Sequence, residues 1–190
     1  MLFLSAQSTA GLCSATLKKC GRVCYKSEGR ISENSAGPFI DKLIDRGHEA
    51  VLEHCSFTVK FICDRGVSHE IVRHRLAAFS QESTRYCNYS KGDFDGEITV
   101  IKPCFLEEGS LAHKVWALAM QECEDSYFKL LEIGCTPQEA RAVLPNSLKT
   151  EVVMTADIRE WRHFLRLRGP GQHIRRCGRL LHGCWTRHTP

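Results

Sequence analysis

A chain of 190 residues is long enough to bury a substantial apolar core and short enough to favour a single domain. Its hydrophobic fraction of 43% and charged fraction of 25% are those of a globular protein, and no segment approaches the roughly 20 apolar residues of a membrane span. A formal net charge of +4 permits anionic ligands without requiring nucleic acid, so we expect neither a membrane nor a nucleic-acid partner.

The start of the chain argues against secretion, so we expect a cytoplasmic protein. Residues 1–6 are too short an apolar run for a secretion signal and have no basic residue before them. Eleven cysteines are present without a CxxC pair, so their spacing does not predict a metal site. In a cytoplasmic chain we expect most of them to be buried thiols, and we expect no bound metal.

The first clear periodic patterns predict a helix and then a strand. Apolar residues at helical spacing place the helix over residues 35–46, where Ser35 can cap its start and Gly47 its end. Alternation over residues 56–63 predicts a strand with one buried face. The inward positions of this strand are Phe57, Val59, Phe61 and Cys63.

Asp64 can cap a second helix, which we expect to run to about Leu76. Its inward positions are Val67, Ile71 and Val72. Residues 97–101 then have the composition of a strand that Pro103 ends. An Arg-His-Arg segment, residues 73–75, would therefore lie at the end of the second helix and in the loop that follows.

The longest helical pattern covers residues 110–133 and stops at Gly134. Its apolar positions include Leu111, Val115, Leu118, Tyr127, Leu130 and Leu131. Thr136 and Glu139 form a capping box that opens a short helix, and residues 149–155 predict another strand.

Asp157 opens a last helix. One stripe of it carries Trp161, Phe164, Leu165 and Arg168. Because helices and strands alternate without a regular strand–helix–strand repeat, we predict an α/β (α+β) fold with a mixed sheet. No GxxxxGK or GxGxxG sequence is present, so a bound flavin would not be held by a Rossmann turn.

Two arginine-rich segments carry the chemistry. Residues 73–75 (Arg-His-Arg) are followed after seven residues by Ser83 and then by Arg85. Guanidinium groups bind phosphate oxygens in pairs, so this cluster suits a phosphorylated small molecule. In the second segment, residues 159–179, seven arginines are opposed by Glu160 alone. The plainer alternative for both segments is a basic, solvated helix.

These segments resemble the flavin-dependent thymidylate synthase family. The spacing Arg-His-Arg, seven residues, Ser is the signature of that family, and residues 80–86 read like its continuation. Residues 156–168 are similar to the family's second signature region. The resemblance covers residues 20–168, and we expect residues 1–190 to form one domain of this type with atypical ends.

The resemblance implies the methylation of dUMP to dTMP. Methylenetetrahydrofolate would be the carbon donor, FAD the hydride carrier and NADPH the reductant, with tetrahydrofolate as the folate product. It also implies a homotetramer with active sites at the subunit interfaces.

By position, the resemblance assigns residues to each ligand. Those at dUMP are Glu70, Arg73, Gln81, Glu82, Ser83, Thr84, Arg85, Arg141 and Arg168. Those at FAD are Ala50, Arg73, His74, Arg75, Gln81, Asp157, Arg159 and His163. His48 lies on the folate and NADPH side. The family usually has asparagine at the position of Asp157 and a hydroxyl residue at that of Ala50.

Arg168 is the catalytic candidate. A guanidinium beside the uracil ring stabilises negative charge on N3 and on the carbonyl oxygens, which makes C5 a better nucleophile. Two alternatives remain open: a non-catalytic nucleotide- or RNA-binding protein that uses the same arginines, and an inactive member of the family. Aromatic residues interleaved with basic ones on a strand would favour RNA binding, and the sequence shows none.

Overall fold

One antiparallel sheet organises the chain in the computed structural model, which describes residues 2–3, 9–32, 35–91 and 96–169. Its strands are β1 (Leu2–Phe3), β2 (Ser56–Asp64), β3 (Ala77–Gln81) and β4 (Lys149–Asp157). Their spatial order is β1-β2-β4-β3, so the two long strands lie at the centre. All pairings between these described strands are antiparallel, which corrects the predicted mixed sheet.

Helices cover the sheet and extend beyond it. In the described residues they are α1 (Thr9–Cys24), α2 (Ala36–Asp45), α3 (Arg65–Ile71), α4 (Leu111–Glu132), α5 (Pro137–Ala140) and α6 (Ile158–Arg168). Single 3₁₀ turns occupy Glu28–Arg30, Glu49–His54 and Arg141–Val143. No helix in these ranges is both long and apolar enough to cross a membrane.

The two central strands each lead directly into a helix through an aspartate cap. Asp64 ends β2 and its carboxylate accepts from the Val67 amide at 2.7 Å. Asp157 ends β4 and accepts from the Glu160 amide at 2.8 Å. Because β2 and β4 are antiparallel, with Asp64 opposite Lys149 at one end, α3 and α6 start at opposite ends of the strand pair. The caps anticipated at Asp64 and Asp157 are thereby confirmed.

The main core lies between the sheet and these two helices. β2 contributes Val59, Phe61 and Cys63, as its alternation predicts, and all three are buried. The other buried members of this cluster are Val67, Ile71, Val152, Met154, Ala156, Trp161 and Phe164. Since both helices pack on one sheet face, they run back toward each other, and Arg168 at the end of α6 reaches Glu70 near the end of α3.

Two smaller clusters flank this core. One joins α1, α2 and the turn before β2 through Leu17, Leu43, Val51, Leu52 and Cys55. The other packs α4 and α5 against residues 87–91 and 96–100 through Tyr89, Ile98, Tyr127, Ala140 and Leu148. Gly21 allows α1 to approach α2 closely, because a Cβ there would lie 2.7 Å from the Phe39 ring. The sequence did not predict α1.

Several predicted elements are confirmed with small shifts in their ends. α2, β2, α4, β4 and α6 all begin within one residue of the predicted start. Gly47 and Gly134 follow α2 and α4 with φ values of 72° and 96°, the left-handed conformation that glycine favours. The capping box holds as well, since the Thr136 amide donates to Glu139 at 2.8 Å.

The helix after Asp64 is shorter than predicted. It ends at Ile71 rather than near Leu76, and the missed strand β3 begins at Ala77. Ala77 pairs with Ala156 of β4, so residues 72–76 must turn from a helix into a strand. The helical pattern of the segment is overridden by this pairing, which involves residues far away in sequence.

The strand predicted over residues 97–101 is reduced to an isolated bridge between Val100 and Leu148. Its amides have different kinds of partner: Ile98 donates to the Glu124 carboxylate at 2.8 Å, while Ile101 donates to the Ser147 carbonyl at 2.8 Å. Because the Ile98 amide bonds to a helix side chain instead of a strand carbonyl, the bridge does not extend into a longer ladder.

Two burial expectations are wrong. Leu165 is 48% exposed, because Phe164 and Arg168 lie on the inward stripe of α6 and Leu165 lies beside it. Among the described cysteines, only Cys55 and Cys63 are buried, so most of them are not core thiols. Cys13 of α1 is bonded to Cys55 as a disulfide, with Cα atoms 5.6 Å apart. Many of the others lie on partly exposed surfaces of helices and loops.

Candidate active site

The ends of α3 and α6 form a hydrogen-bonded centre around Arg168. The Arg168 Nε donates to His74 Nε2 at 3.2 Å. Its Nη1 donates to the Glu70 carboxylate at 2.9 Å, and its Nη2 donates to the Glu70 carbonyl at 3.2 Å. The Arg168 side chain is only 12% exposed, so these contacts fix the guanidinium in one orientation.

His74 connects this arginine to a buried carboxylate. Its Nδ1 lies 2.9 Å from Glu160 Oε1, and the exposed fractions of the two side chains are 3% and 7%. Because Nε2 accepts from Arg168, the neutral ring must carry its proton on Nδ1 and donate it to Glu160. Burial lowers the pKa of His74; the Glu160 hydrogen bond opposes this shift and the Arg168 charge adds to it. Phe164 contacts the ring edge-on, with centroids 4.8 Å apart.

A cavity of about 590 Å³ opens beside this centre. Its basic wall comes from Arg159, His163 and Arg166 of α6, with Leu76 as an apolar member. Its remaining lining residues are Glu49, Glu53, Asp157 and Glu160. Arg159 pairs with Glu53 and Arg162 with Glu49, so the turn before β2 is tied to α6 through charge pairs.

A second polar group lies beyond the far end of β3. Gln81 donates to Ser68 Oγ at 2.8 Å, which turns its amide inward. Glu82 accepts from Lys149 at 3.3 Å and from the Tyr89 hydroxyl at 3.1 Å. The pKa of Tyr89 is raised by burial and by the nearby Glu82 charge.

Sequence comparison places this arrangement within a known family. The family model Thy1, thymidylate synthase complementing protein, matches residues 12–185. The chain belongs to this family. The match extends beyond the residues 20–168 over which the motifs alone are visible.

Curated relatives are 31–35% identical to this chain over the aligned residues. The flavin-dependent thymidylate synthase of Geobacter sulfurreducens is 35% identical over 161 residues, which cover 81% of this chain and 68% of that protein. The enzyme of the same name from Pyrococcus furiosus is 31% identical over 156 residues, 82% of this chain and 63% of that protein. The enzyme of the same name from Pyrococcus horikoshii is 35% identical over 140 residues, which cover 73% of this chain and 57% of that protein. The Thy1 chain therefore spans about three fifths to two thirds of the length of these relatives.

The structure gathers part of the predicted set at the α3–α6 centre. Glu70, His74 and Arg168 are in direct contact, and the His163 ring lies 5.7 Å from that of His74. Asp157, Arg159 and His163 line the adjoining cavity. Arg73, Arg75 and Ala50 are exposed on neighbouring turns.

Other predicted residues lie elsewhere in the Thy1 chain. Ser83 is half-buried, Thr84 is buried and Arg85 is exposed, all beyond the last residue of β3. Along the chain, the five residues of β3, roughly 16 Å at about 3.3 Å per residue, lie between the Arg-His-Arg segment and these groups. Arg141 is exposed after α5, and His48 is exposed and hydrogen-bonded to Tyr25.

Two functional candidates were missed from the sequence. Glu160 holds His74 from a position 86 residues away. Its signal was present: it is the sole acid among the arginines of residues 159–179, and it lies four residues before the buried Phe164, on the same helix face. Lys149 pairs with Glu82 and Glu151, and no local motif marked it.

Acidification should destabilise this Thy1 chain through His74. Its pKa is lowered in the folded state, so the unfolded chain, with a histidine pKa of about 6.5, binds the proton more readily. This contribution to stability is complete above the unfolded pKa and is lost as the pH falls toward the folded one. We expect the free energy of unfolding, measured by urea titration, to decrease from pH 7 to pH 5.5. The titration of this one group changes the free energy of unfolding by at most about 1.4 kcal/mol per pH unit.

The matched variants for this titration are His74→Gln and His69→Gln. His69 is exposed on α3, so its loss should leave the pH dependence unchanged, whereas the His74 variant should flatten it. A pH dependence that is equally steep in the wild type and in His74→Gln would assign the effect to other groups.

Proposed function

We propose that this chain is a flavin-dependent thymidylate synthase that methylates dUMP to dTMP. Methylenetetrahydrofolate supplies the carbon, FAD carries the hydride and NADPH is the reductant, and tetrahydrofolate is released. Family membership and the names of the curated relatives support this proposal over a non-catalytic nucleotide- or RNA-binding protein. The single observation in the structure that carries it is the fixed orientation of Arg168.

The geometry of Arg168 leaves a pair of donors for the pyrimidine. A guanidinium has five N–H bonds. Single hydrogen bonds to His74, to the Glu70 carboxylate and to the Glu70 carbonyl engage Nε, Nη1 and Nη2 in turn. One N–H on each terminal nitrogen remains, and these donors can bind N3 and a neighbouring carbonyl oxygen of a uracil ring that has lost its N3 proton. Held next to N3, it stabilises the charge that makes C5 nucleophilic.

One wall of the cavity suits the phosphates of FAD, while the rest of the lining carries four carboxylates, those of Glu49, Glu53, Asp157 and Glu160. FAD carries a pyrophosphate, and Arg159, Arg166 and His163 offer donors for phosphate oxygens on one wall. Arg73 and Arg75 are exposed nearby and free to reach outward. FAD, when bound, supplies the hydride that reduces the transferred carbon to a methyl group. The residues of the chain bind it, orient it and exclude water.

Three observations limit how the lining of this cavity can bind FAD. We call its basic side, Arg159, His163 and Arg166, the FAD wall. Asp157 uses its carboxylate to cap α6, so it is not turned toward a phosphate. Arg159 is already paired with Glu53, so a flavin phosphate must compete with that carboxylate. Ala50 offers no hydroxyl. We therefore propose that Arg166 and His163 make the larger contribution to flavin binding.

We further propose a homotetramer with shared sites, in which residues at the end of β3 and farther along the chain serve the Arg168 centre of a neighbouring subunit. Gln81, Glu82, Ser83, Thr84, Arg85 and Arg141 would then contact dUMP across an interface. The separation along β3 supports this proposal, and so do the apolar side chains exposed on α4. Leu111 is 77%, Val115 59% and Leu118 67% exposed. The cytoplasmic location expected from the sequence stays a prediction.

The test is a flavin spectrum combined with a product assay. We expect the purified chain to show the visible absorption bands of bound flavin and to convert dUMP to dTMP only when methylenetetrahydrofolate and NADPH are both present. Sedimentation of the same sample should give the mass of a tetramer. A chain that binds no flavin after incubation with FAD and forms no dTMP would contradict the proposal; flavin binding without dTMP would indicate an inactive family member.

A further inference from the structure

A second cavity, of about 740 Å³, lies between the end of α1 and the face of α2. Four basic residues line it: Arg22, Lys26, Lys42 and Arg46. None of its described lining residues is acidic, and no ion pair within the described ranges involves any of these four cations. Among the described residues, the cavity therefore concentrates positive charge without an acidic lining residue. We call this the α1–α2 cavity.

These cations lie in two pairs. Lys42 and Arg46 are four residues apart at the end of α2, a spacing at which like charges repel, and Asp45 lies three residues after Lys42. Lys26 follows the end of α1, four residues after Arg22. Both pairs lie at helix C-termini, where the helix dipole favours cations. The dipole explains why cations are tolerated there. It does not explain the two further features of the α1–α2 cavity.

The first feature is a pair of unsatisfied polar atoms. Within the part of the chain that the structure describes, Arg22 Nε and Ser27 Oγ are buried without a hydrogen-bond partner. Both residues line the α1–α2 cavity. The Arg22 guanidinium is also held over the Phe39 ring, 4.1 Å from its centroid, so it is positioned by packing rather than by an acid. Buried donors of this kind normally have an acceptor, and a ligand oxygen would provide one.

The second feature is the backbone of Lys26. Its φ of 46° makes it the sole non-glycine residue with positive φ among those described. It follows the end of α1 in a Schellman motif: the Lys26 amide donates to the Val23 carbonyl at 3.2 Å and the Ser27 amide to the Arg22 carbonyl at 3.1 Å. Glycine is favoured at this position. A lysine there accepts backbone strain while placing an ammonium group on the cavity wall.

The α1–α2 cavity also connects to the candidate active site. Tyr25 lines the cavity and is hydrogen-bonded to His48. The next residue, Glu49, pairs with Arg162 of α6 and lines the cavity beside Arg168. The two cavities are thus linked through the Gly-His-Glu segment, residues 47–49.

We propose that the α1–α2 cavity binds the anionic end of a small organic polyanion, that is, clustered phosphate or carboxylate groups. The choice of candidate ligands rests on the proposed function, which supplies two sources of this chemistry. One is the phosphates of NADPH, and the other is the glutamyl carboxylates of the folate. Guanidinium and ammonium groups from two helices bind the oxygens, Arg22 Nε and Ser27 Oγ donate to them, and Phe39 fixes Arg22.

Calorimetric binding to the full chain tests this inference with named probes. The probes are inorganic pyrophosphate, NADPH, NADH, and tetrahydrofolate with one or five glutamates. The double variant Lys42→Gln/Arg46→Gln should weaken the binding of pyrophosphate and of one ligand family by at least about tenfold, since several charged contacts are lost. Loss of the preference for NADPH over NADH would identify phosphate, and loss of the preference for five glutamates would identify carboxylates.

The control is Lys114→Gln/Lys129→Gln, which removes the same charge from exposed positions on α4. It should bind every probe as the wild type does. Equal binding of all probes by the wild type and by Lys42→Gln/Arg46→Gln would overturn the proposal. If the wild type bound no flavin but bound pyrophosphate through Lys42 and Arg46, the proposed function would fail and this inference would stand.

A single variant separates ligand binding from folding. Lys26→Gly should raise the Tm by ~3 °C, because glycine relieves the left-handed strain. It should at the same time weaken the binding of the probe that responds in the double variant. A rise in Tm with unchanged binding would show that the Lys26 ammonium has no part in the site.

Discussion

Replacing Arg168 by alanine should lower the rate of dTMP formation by about two to three orders of magnitude, the usual effect of removing a donor aimed at developing charge. The side chain is only 12% exposed and is held by His74 and Glu70, so its donors are aligned before the substrate arrives. The Arg168 donors stabilise the charge that develops in the transition state more than they stabilise bound dUMP. We therefore expect kcat to fall more than the KM for dUMP rises.

Flavin content should change little in this variant, because the FAD wall lies on Arg159, His163 and Arg166. Arg168→Lys should restore little activity, since an ammonium group with three N–H bonds cannot satisfy the acceptors of Glu70 and His74 and still donate to the pyrimidine. Lys129→Ala, which removes an exposed cation from α4, is the matched control. Equal initial rates of dTMP formation in the wild type and in Arg168→Ala would exclude the assigned role.

Replacing Phe164 by alanine should lower the free energy of unfolding by about 3–5 kcal/mol, as for other buried aromatic residues. The ring is 1% exposed and contacts His74, Phe61 and Trp161, with centroids 4.8, 5.6 and 5.5 Å away. Its loss leaves a cavity under the sheet and removes the support of the His74 ring. For a chain of this size the corresponding fall in Tm is about 2–4 °C per kcal/mol.

The adjacent residue provides the control for this prediction. Leu165 is 48% exposed, so Leu165→Ala should change the free energy of unfolding by about 0.5 kcal/mol or less. Urea titrations of both variants at pH 7 give the comparison. Similar losses in the two variants would mean that the inward stripe of α6 is assigned to the wrong residues.

The sequence predicts those parts of the fold that depend on neighbouring residues. The alternation of β2, the aspartate cap of α3 and the capping box of α5 each need only a few adjacent positions, and all three appear in the structure. β3 could not be found in this way. Its residues, including Ala77 and Gln81, become a strand because β4, some 70 residues later, provides partners such as Ala156 and Val152.

In the candidate site, too, the sequence reveals what neighbouring residues determine and not what distant residues determine. The Arg-His-Arg motif, residues 73–75, marks the position of His74, but its neighbours do not reveal that its ring is buried against Glu160 and accepts from Arg168. The α1–α2 cavity was invisible because α1 itself has no strong periodic pattern. A linear motif identifies which residues carry chemistry, and the packing of distant helices decides which of them meet.

The paired strand-to-helix turns have a consequence for how such a chain can vary over evolutionary time. The contact between His74 and Glu160 depends on the Ala77–Ala156 register and on two aspartate-capped helix starts. Inserting one residue between Asp64 and Ala77 would rotate His74 out of the core, and inserting one between Asp157 and Arg168 would turn the guanidinium by about 100° around the helix axis. Segment length is therefore tightly constrained in both places.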